Sequence, residues 1–144
     1  MRYTTRSITF FLILSSYLAT SIKAIHITDG YEVHVVNNLP ADSAALVIHC
    51  QSRDNDLKNY ILPVHQDFHW NFHVNIWRTT TFFCHFQWGC FDKSFEVFDN
   101  FLTGKCVHTS TPGRICHWSV RTDGFYVAKY DPPYNGPFTK ACDW

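Results

Sequence analysis

Short runs in which apolar and polar residues alternate recur along the chain from residue 31 onwards. Each run places aromatic or β-branched side chains on one face and histidine, asparagine or other polar side chains on the opposite face. An alternation of period two is typical of a β-strand with one buried face. The clearest runs are residues 31–35, 46–50, 68–76, 82–88, 95–97, 116–121 and 125–128. The pattern predicts about seven or eight strands and no helix.

Turn-forming residues separate these runs. Residues 37–40 follow the first run, residues 111–113 precede the run at 116–121, and Asp123-Gly124 lies between the last two runs. Asp-Gly between two alternating runs is a strong signal for a hairpin. Many short strands with one apolar face each predict an all-β fold, and we expect an antiparallel β-sandwich whose two sheets face each other over an aromatic layer.

The beginning of the chain has a different composition. Two arginines precede an apolar run that begins at Ile8 and fades by Leu18, and small residues follow. This order predicts a secretory signal peptide over residues 1–24, with a cut after Ser21 as the alternative. The apolar run is shorter than the roughly 20 residues that a membrane span needs. We therefore expect residues 25–144 to form one exported domain without membrane insertion, and a retained anchor is the alternative.

All six cysteines follow the signal segment. An even number of cysteines in a small exported chain predicts disulfides, and no Cys-x-x-Cys pair is present to suggest a zinc finger. Sequence alone leaves the pairing open. The disulfide candidates are Cys50, Cys84, Cys90, Cys106, Cys116 and Cys142.

The charge of the predicted mature chain argues against a nucleic-acid partner. Without the signal segment, 9 basic residues stand against 12 acidic ones, a formal charge of −3 with histidine neutral. Nucleic-acid-binding proteins usually present a net or clustered positive charge. All nine histidines lie in the mature part, where an acidic extracellular medium can make them cationic.

Histidine is the first candidate for metal chemistry. His65, His69 and His73 recur every four residues, which on a helix would stack three zinc ligands on one face. The surrounding alternation predicts a strand instead, and strand positions four apart are separated by about 13 Å. These histidines are interpreted as solvent-facing residues. The sequence therefore predicts no metal site and, because no glycine-rich phosphate loop is present, no cofactor.

Residues suited to catalysis form no familiar grouping. A catalytic cysteine must stay reduced, which export disfavours, and no Gly-x-Ser-x-Gly motif occurs. Asp54 and Asp56 lie close together in the polar stretch 51–59, where Asp-Asn-Asp is more typical of a turn than of a catalytic pair or a calcium loop. The sequence predicts no catalytic residues. The alternative is a secreted hydrolase or defence enzyme that uses these acids or a histidine.

The connections between strands are the predicted binding surface, because rigid sheets hold such loops in place. The loop candidates are residues 51–59, 89–94, 102–113 and 132–140. Within them, the predicted partner contacts are Arg53, Asp54, Asp56, Lys58, Asp92, Lys93, Lys105 and His108. A cell-wall or carbohydrate-binding module is a further alternative, suggested by five tryptophans, but the alternation places Trp70, Trp88 and Trp118 in the core.

A series of motifs spans nearly all of the chain after the signal segment. In order, they are residues 33–39, 46–57, 68–72, 79–88, 116–118 and 123–126. Together they resemble the plant self-incompatibility S-protein family, also called S-protein homologues. The resemblance implies a secreted, disulfide-stapled β-sandwich that acts as a small extracellular signalling ligand, and we expect a monomer that binds a cell-surface receptor protein.

The resemblance also separates the cysteines that match the family pattern from those that do not. Cys50, Cys84, Cys106 and Cys116 match the family pattern. The two others, Cys90 and Cys142, lie outside it, and a bridge between them is one interpretation. Lys58 stands where the family usually has glycine, which leaves the shape of that loop open. The family has no catalytic residues to carry over.

Overall fold

The computed structural model describes residues 30–77, 79–99, 107–108, 114–128 and 137–144. In this part of the chain every regular element is a β-strand, so the predicted all-β class is confirmed. The strands are β1 (Gly30–Asn37), β2 (Leu46–Gln51), β3 (Asp56–Leu62), β4 (Asp67–His73), β5 (Phe82–Trp88), β6 (Phe91–Phe98), β7 (Val107–His108), β8 (Arg114–Arg121), β9 (Gly124–Ala128) and β10 (Phe138–Cys142). Residues 1–24, the predicted signal peptide, lie outside the described residues.

The strands form two sheets, as predicted for a sandwich. The four-stranded sheet has the order β3-β2-β5-β6 and is antiparallel throughout. The six-stranded sheet has the order β10-β9-β8-β1-β4, with β7 also paired to β8. Its strands β1 and β8 run parallel, which the sequence does not predict. A parallel pair needs a long connection, and the part of the chain between β1 and β8 supplies it.

The apolar faces of the two sheets pack against each other. Rings meet across the interface between β5 and β9, where Phe86 and Phe125 lie 4.7 Å apart, and between β1 and β6, where Tyr31 and Phe98 lie 4.7 Å apart. All four residues are buried. Burying one such side chain contributes about 1.5–3 kcal/mol, so this aromatic layer contributes substantially to stability.

The tryptophans divide between the core and the surface. Trp70 and Trp118 are buried, as predicted. Trp88 is only half-buried, because it is the last residue of β5, and its ring packs on that of Trp144 at 5.4 Å. Trp77 is 76% exposed, in the connection between β4 and β5. The prediction of a core position is therefore right for two of three tryptophans.

Buried polar groups join the two sheets. The Asn37 side-chain amide donates to the carbonyl of Leu62 (2.8 Å), and its oxygen accepts from the backbone N–H of Leu39 (3.0 Å). The Trp118 indole N–H donates to the carbonyl of Val97 (3.0 Å). A buried polar group left without a partner costs about 1–3 kcal/mol. These bonds therefore favour one relative position of the sheets.

The Asp-Gly hairpin is confirmed. Strands β8 and β9 pair directly, with Arg121 opposite Gly124. Gly124 has a φ of 139° and packs closely against the backbone of Cys142, where a Cβ atom would collide with the carbonyl oxygen. Only glycine fits this position, because it tolerates the backbone conformation and leaves room for the chain that passes over it.

One disulfide lies within the four-stranded sheet. Cys50 and Cys84 are bonded at directly opposite positions of β2 and β5, and both are buried. Cys116 is disulfide-bonded as well. Cys106 lies outside the described residues.

The extra cysteines do not form a bridge. Cys90 and Cys142 are free thiols, which corrects the expectation of a bond between them and of six oxidised cysteines. Cys90 is exposed in the turn between β5 and β6, whereas Cys142 is half-buried at the end of β10, where burial raises its thiol pKa. The two side chains thus occupy different surroundings.

Three strands were not predicted, namely β3, β7 and β10. Both β3 and β10 are edge strands. Among the residues of β3 only Leu62 is buried, and none of β10 is fully buried. A strand that covers little core carries no clear alternation. Strand β7 has two residues, too few to form a pattern.

Candidate functional site

The structure divides the predicted contact residues between loops and strands. Arg53 and Asp54 are exposed in the connection between β2 and β3. Four others lie on strands instead: Asp56 and Lys58 on β3, and Asp92 and Lys93 on β6. The predicted loops 51–59 and 89–94 are therefore too long, because edge strands begin within both of them. His108 belongs to β7, and Lys105 lies outside the described residues.

Asp56 is held by its neighbours. Its carboxylate accepts from His49 Nε2 (2.7 Å) and from the backbone N–H of Lys58 (2.9 Å), and it pairs with Lys58 Nζ (2.9 Å). The hydrogen bonds of Lys58 and His49 lower the pKa of Asp56. An exposed carboxylate with a lowered pKa stays ionised and is poorly suited to act as a general acid.

Lys58 adopts the backbone conformation that glycine favours. Its φ is 64°, in the left-handed region that costs a side chain free energy. The glycine that the family resemblance implies at this position fits that conformation. In this chain the two bonds from Lys58 to Asp56 hold this backbone conformation in place.

Two connections at one end of the sandwich are ordered by their own hydrogen bonds. In the connection between β4 and β5, Asn75 bonds to Thr79 through its amide nitrogen (2.8 Å) and its amide oxygen (2.9 Å). In the connection between β2 and β3, the backbone N–H of Ser52 donates to the carbonyl of Asn55 (2.7 Å), and the N–H of Asn55 donates to Ser52 Oγ (3.1 Å). These bonds order the described residues of both loops.

A depression of about 380 Å³ lies between these connections. It is lined by Gln51, Ser52, Arg53, Thr79, Thr81 and Phe83. In the β4–β5 connection, which contributes Thr79 and Thr81 to this lining, Ile76 is 60% and Trp77 is 76% exposed. We call this set, residues 51–55, 75–77, 79–81 and Phe83, the loop-end surface.

A second candidate site lies on the outer face of the six-stranded sheet. His34 of β1 is directly opposite His69 of β4 and directly opposite His117 of β8. The ring of His34 lies 5.0 Å from that of His69 and 4.6 Å from that of His117. We call these three residues the histidine row.

Two carboxylates contact the histidine row. Asp67 Oδ2 lies 2.6 Å from His34 Nδ1 and 3.4 Å from His69 Nδ1, and Glu32 Oε1 lies 3.3 Å from His34 Nε2. Burial lowers the pKa of His34, but the bonds and charges of Asp67 and Glu32 outweigh it, so the net pKa is raised. Burial and the charge of His34 lower the pKa of His117 to about 4.

Sequence reasoning missed the histidine row. His65, His69 and His73 are exposed, which confirms the interpretation of solvent-facing residues. That reasoning compared histidines along one strand, whereas the row runs across three strands that are distant in sequence. An alternating pattern identifies the face on which a histidine lies but does not identify its neighbours on adjacent strands.

The chain is similar to one known protein family over most of its length. A family model described as plant self-incompatibility protein S1 matches residues 32–144. Two Arabidopsis thaliana relatives match over most of their length. S-protein homolog 29 is 30% identical over 141 residues, which cover 93% of this chain and 94% of the relative. S-protein homolog 19 is 32% identical over 123 residues, which cover 82% and 85%.

A third relative aligns over a shorter segment. S-protein homolog 5 of Arabidopsis thaliana is 38% identical over 80 residues, and the alignment covers 55% of this chain and 57% of the relative. The chain thus spans a little over half the length of that relative.

A solved structure shares the fold. It belongs to the self-incompatibility protein homologues, described as a widespread family of small, highly stable, secreted proteins from plants. Its TM-score to this chain is 0.52 at 18% identity, with 81% of this chain and 91% of that chain covered. Within the described residues, no helix has the length and apolar character needed to cross a bilayer. The family model and the two long alignments show that the chain belongs to the plant self-incompatibility protein S1 family, that of the S-protein homologues, so the predicted family is confirmed.

Proposed function

We propose that this protein is a small extracellular ligand whose loop-end surface binds a cell-surface receptor protein. The observation that carries the proposal is a depression of about 380 Å³ lined by Arg53 and Thr79, together with the exposed Ile76 and Trp77 in the same connection as Thr79. Tryptophan and arginine are over-represented among the residues that dominate binding energy at protein interfaces. Membership of a secreted family supports a partner outside the cell.

The preformed loops favour tight binding. Association costs conformational entropy when loops must become ordered at the interface. The Asn75–Thr79 bonds and the Ser52–Asn55 bonds already hold both connections. The free energy gained by burying Trp77 is therefore available for affinity.

The proposal includes a binding role without catalysis. Asp56, one of the two acids suggested for a hydrolase, is exposed and is engaged by His49 and Lys58, which lower its pKa. Carbohydrate binding is the second candidate function, because Trp77 and Phe83 are exposed aromatic residues within one surface. Exposed rings of this kind can stack on sugar rings.

The experiment measures binding of the labelled, oxidised mature protein to plant membrane fractions. We expect saturable binding that disappears when the membranes are treated with protease. Trp77→Ala should weaken it at least about tenfold, as a central interface residue does. Ile61→Ala is the matched control, because Ile61 is a comparably exposed apolar residue on the edge strand β3.

Two results would overturn the receptor proposal. One is the absence of saturable binding to membranes of every tissue tested. The other is equal binding by Trp77→Ala and the wild-type protein. Binding that resists protease but is displaced by soluble cell-wall polysaccharide would replace the receptor with a carbohydrate partner.

A further inference from the structure

We propose that His34, Asp67 and His69 form a binding site for a divalent transition-metal ion, with Zn²⁺ as the ion that the ligand set fits. One ligand atom from each residue lies within 4.8 Å of the others. Two histidine nitrogens and a carboxylate oxygen are ligands that zinc commonly takes in proteins. None of these three residues belongs to the loop-end surface, so the site is independent of the receptor proposal.

The three ligand atoms lie within 4.8 Å of one another, although the rings of His34 and His69 are stacked at 20° to each other. A tetrahedral zinc site with bonds of about 2.0–2.1 Å requires neighbouring ligand atoms roughly 3.3 Å apart. Asp67 Oδ2 lies 2.6 Å from His34 Nδ1 and 3.4 Å from His69 Nδ1. Binding therefore requires the exposed His69 ring to rotate out of the stack, so that its Nδ1 and that of His34 face the same ion. The ion replaces the proton that hydrogen-bonds His34 to Asp67, and that proton leaves to solvent.

Glu32 supplies an independent reason to expect a metal. In metal sites, the histidine nitrogen that faces away from the ion usually donates its N–H to a carboxylate, which fixes the tautomer and the ring orientation. If His34 binds through Nδ1, its Nε2 faces Glu32 Oε1 at 3.3 Å. Glu32 is thus a positioning residue for the proposed ligand.

The degree of exposure suits an ion that enters from solvent. The His69 side chain is 56% exposed and that of Asp67 is 36% exposed, whereas that of His34 is 14% exposed. Three protein ligands leave one tetrahedral position for water or for a ligand from a partner. His34 anchors the site in the sheet, and His69 forms its accessible side.

The four-stranded sheet provides a matched comparison. His49 and His85 also lie directly opposite each other there. Each is bonded to its own carboxylate, His49 to Asp56 (2.7 Å) and His85 to Asp92 (2.8 Å). No group of three ligands forms around them among the described residues. His85→Ala therefore removes an exposed histidine–aspartate pair of the same chemistry without touching the proposed site.

The experiment is a calorimetric titration of the oxidised mature protein with ZnCl₂ near neutral pH. We expect one ion per chain and a rise in melting temperature with zinc, because the ion binds the folded state. His69→Ala and Asp67→Asn should each weaken binding at least about tenfold, and Glu32→Gln should weaken it about tenfold. His85→Ala should leave the affinity unchanged, and so should Cys90→Ser, which removes an exposed thiol that could compete for zinc.

Nuclear magnetic resonance adds a readout that identifies the ligands. The imidazole signals of His34 and His69 should shift with zinc, and those of His85 should not. The proposal is overturned if the wild-type protein binds no zinc saturably, or if His85→Ala or Cys90→Ser loses as much affinity as His69→Ala. Asp67→Asn keeps the shape of the side chain, so it tests the site even if His69→Ala folds poorly.

Discussion

The outer faces of the two sheets both carry two histidines at directly opposite positions of neighbouring strands, but the acids around them are arranged differently. On the four-stranded sheet, His49 and His85 each contact an aspartate of the adjacent edge strand. The aspartates, Asp56 and Asp92, are exposed. The result is two separate surface ion pairs, a kind of interaction that contributes little to stability.

On the six-stranded sheet, His34 and His69 share a single carboxylate. Asp67 contacts both rings, and Glu32 contacts the other side of His34. On β8, the strand that pairs with the other edge of β1, the ring of His117 packs against that of His34. The comparison shows that a carboxylate shared by two histidines, rather than the number of histidines, separates a set of neighbouring ligand atoms from two separate surface ion pairs.

The largest expected effect concerns the disulfide within the four-stranded sheet. Replacing Cys50 and Cys84 with alanine removes the bridge within the four-stranded sheet, which links residues 34 positions apart. We expect the free energy of unfolding to fall by about 3 kcal/mol, measured by urea denaturation, because the unfolded chain gains freedom. Cys90→Ala, which removes a free thiol, is the control and should change little. An unchanged urea midpoint in the double variant would contradict the stapling role.

The next effect concerns the connection between the sheets. Asn37→Ala leaves the carbonyl of Leu62 and the N–H of Leu39 without their buried partner. We expect a loss of about 2 kcal/mol in the free energy of unfolding. Asn55→Ala, at an exposed loop position, should cost less than about 0.5 kcal/mol. Equal losses in the two variants would show that Asn37 does not join the sheets.

Replacing one acid of each histidine pair with asparagine tests the comparison of the two sheets directly. Asp67→Asn should lower the free energy of unfolding by about 1 kcal/mol, because it weakens a bond to the largely buried His34. Asp92→Asn should cost less than about 0.5 kcal/mol, as an exposed pair does. Thermal unfolding in the presence of a chelator gives both values without bound metal. A larger loss from Asp92→Asn would reverse the comparison.

The last expected effect, of similar size, is a difference between two variants at the edge of the four-stranded sheet. Lys58→Gly relieves the left-handed backbone strain at the cost of the bond from Lys58 Nζ to Asp56. Lys58→Ala loses the same bond and keeps the strain. We expect the glycine variant to be more stable than the alanine variant by about 1 kcal/mol, measured by urea denaturation. Equal stabilities would show that the backbone at Lys58 is unstrained.

Much of the fold follows from local pattern. The alternation around Val33, Ile48 and Phe86 identifies strands whose apolar residues are buried in the structure. Asp123-Gly124 identifies the hairpin between β8 and β9. The edge strands β3 and β10 escaped prediction because they bury little, so their sequences record no contrast between two faces. The predicted binding loop 51–59 is consequently longer than the observed connection between β2 and β3.

The sequence by itself determined which residues lie inside and which lie outside on each central strand. The alternation of side chains is a property of the extended backbone and needs no knowledge of neighbouring strands. The tertiary structure decided which outside residues meet. His34, Asp67 and His69 come together only because β1 pairs with β4, a contact between distant parts of the chain that is set by the packing of the whole core.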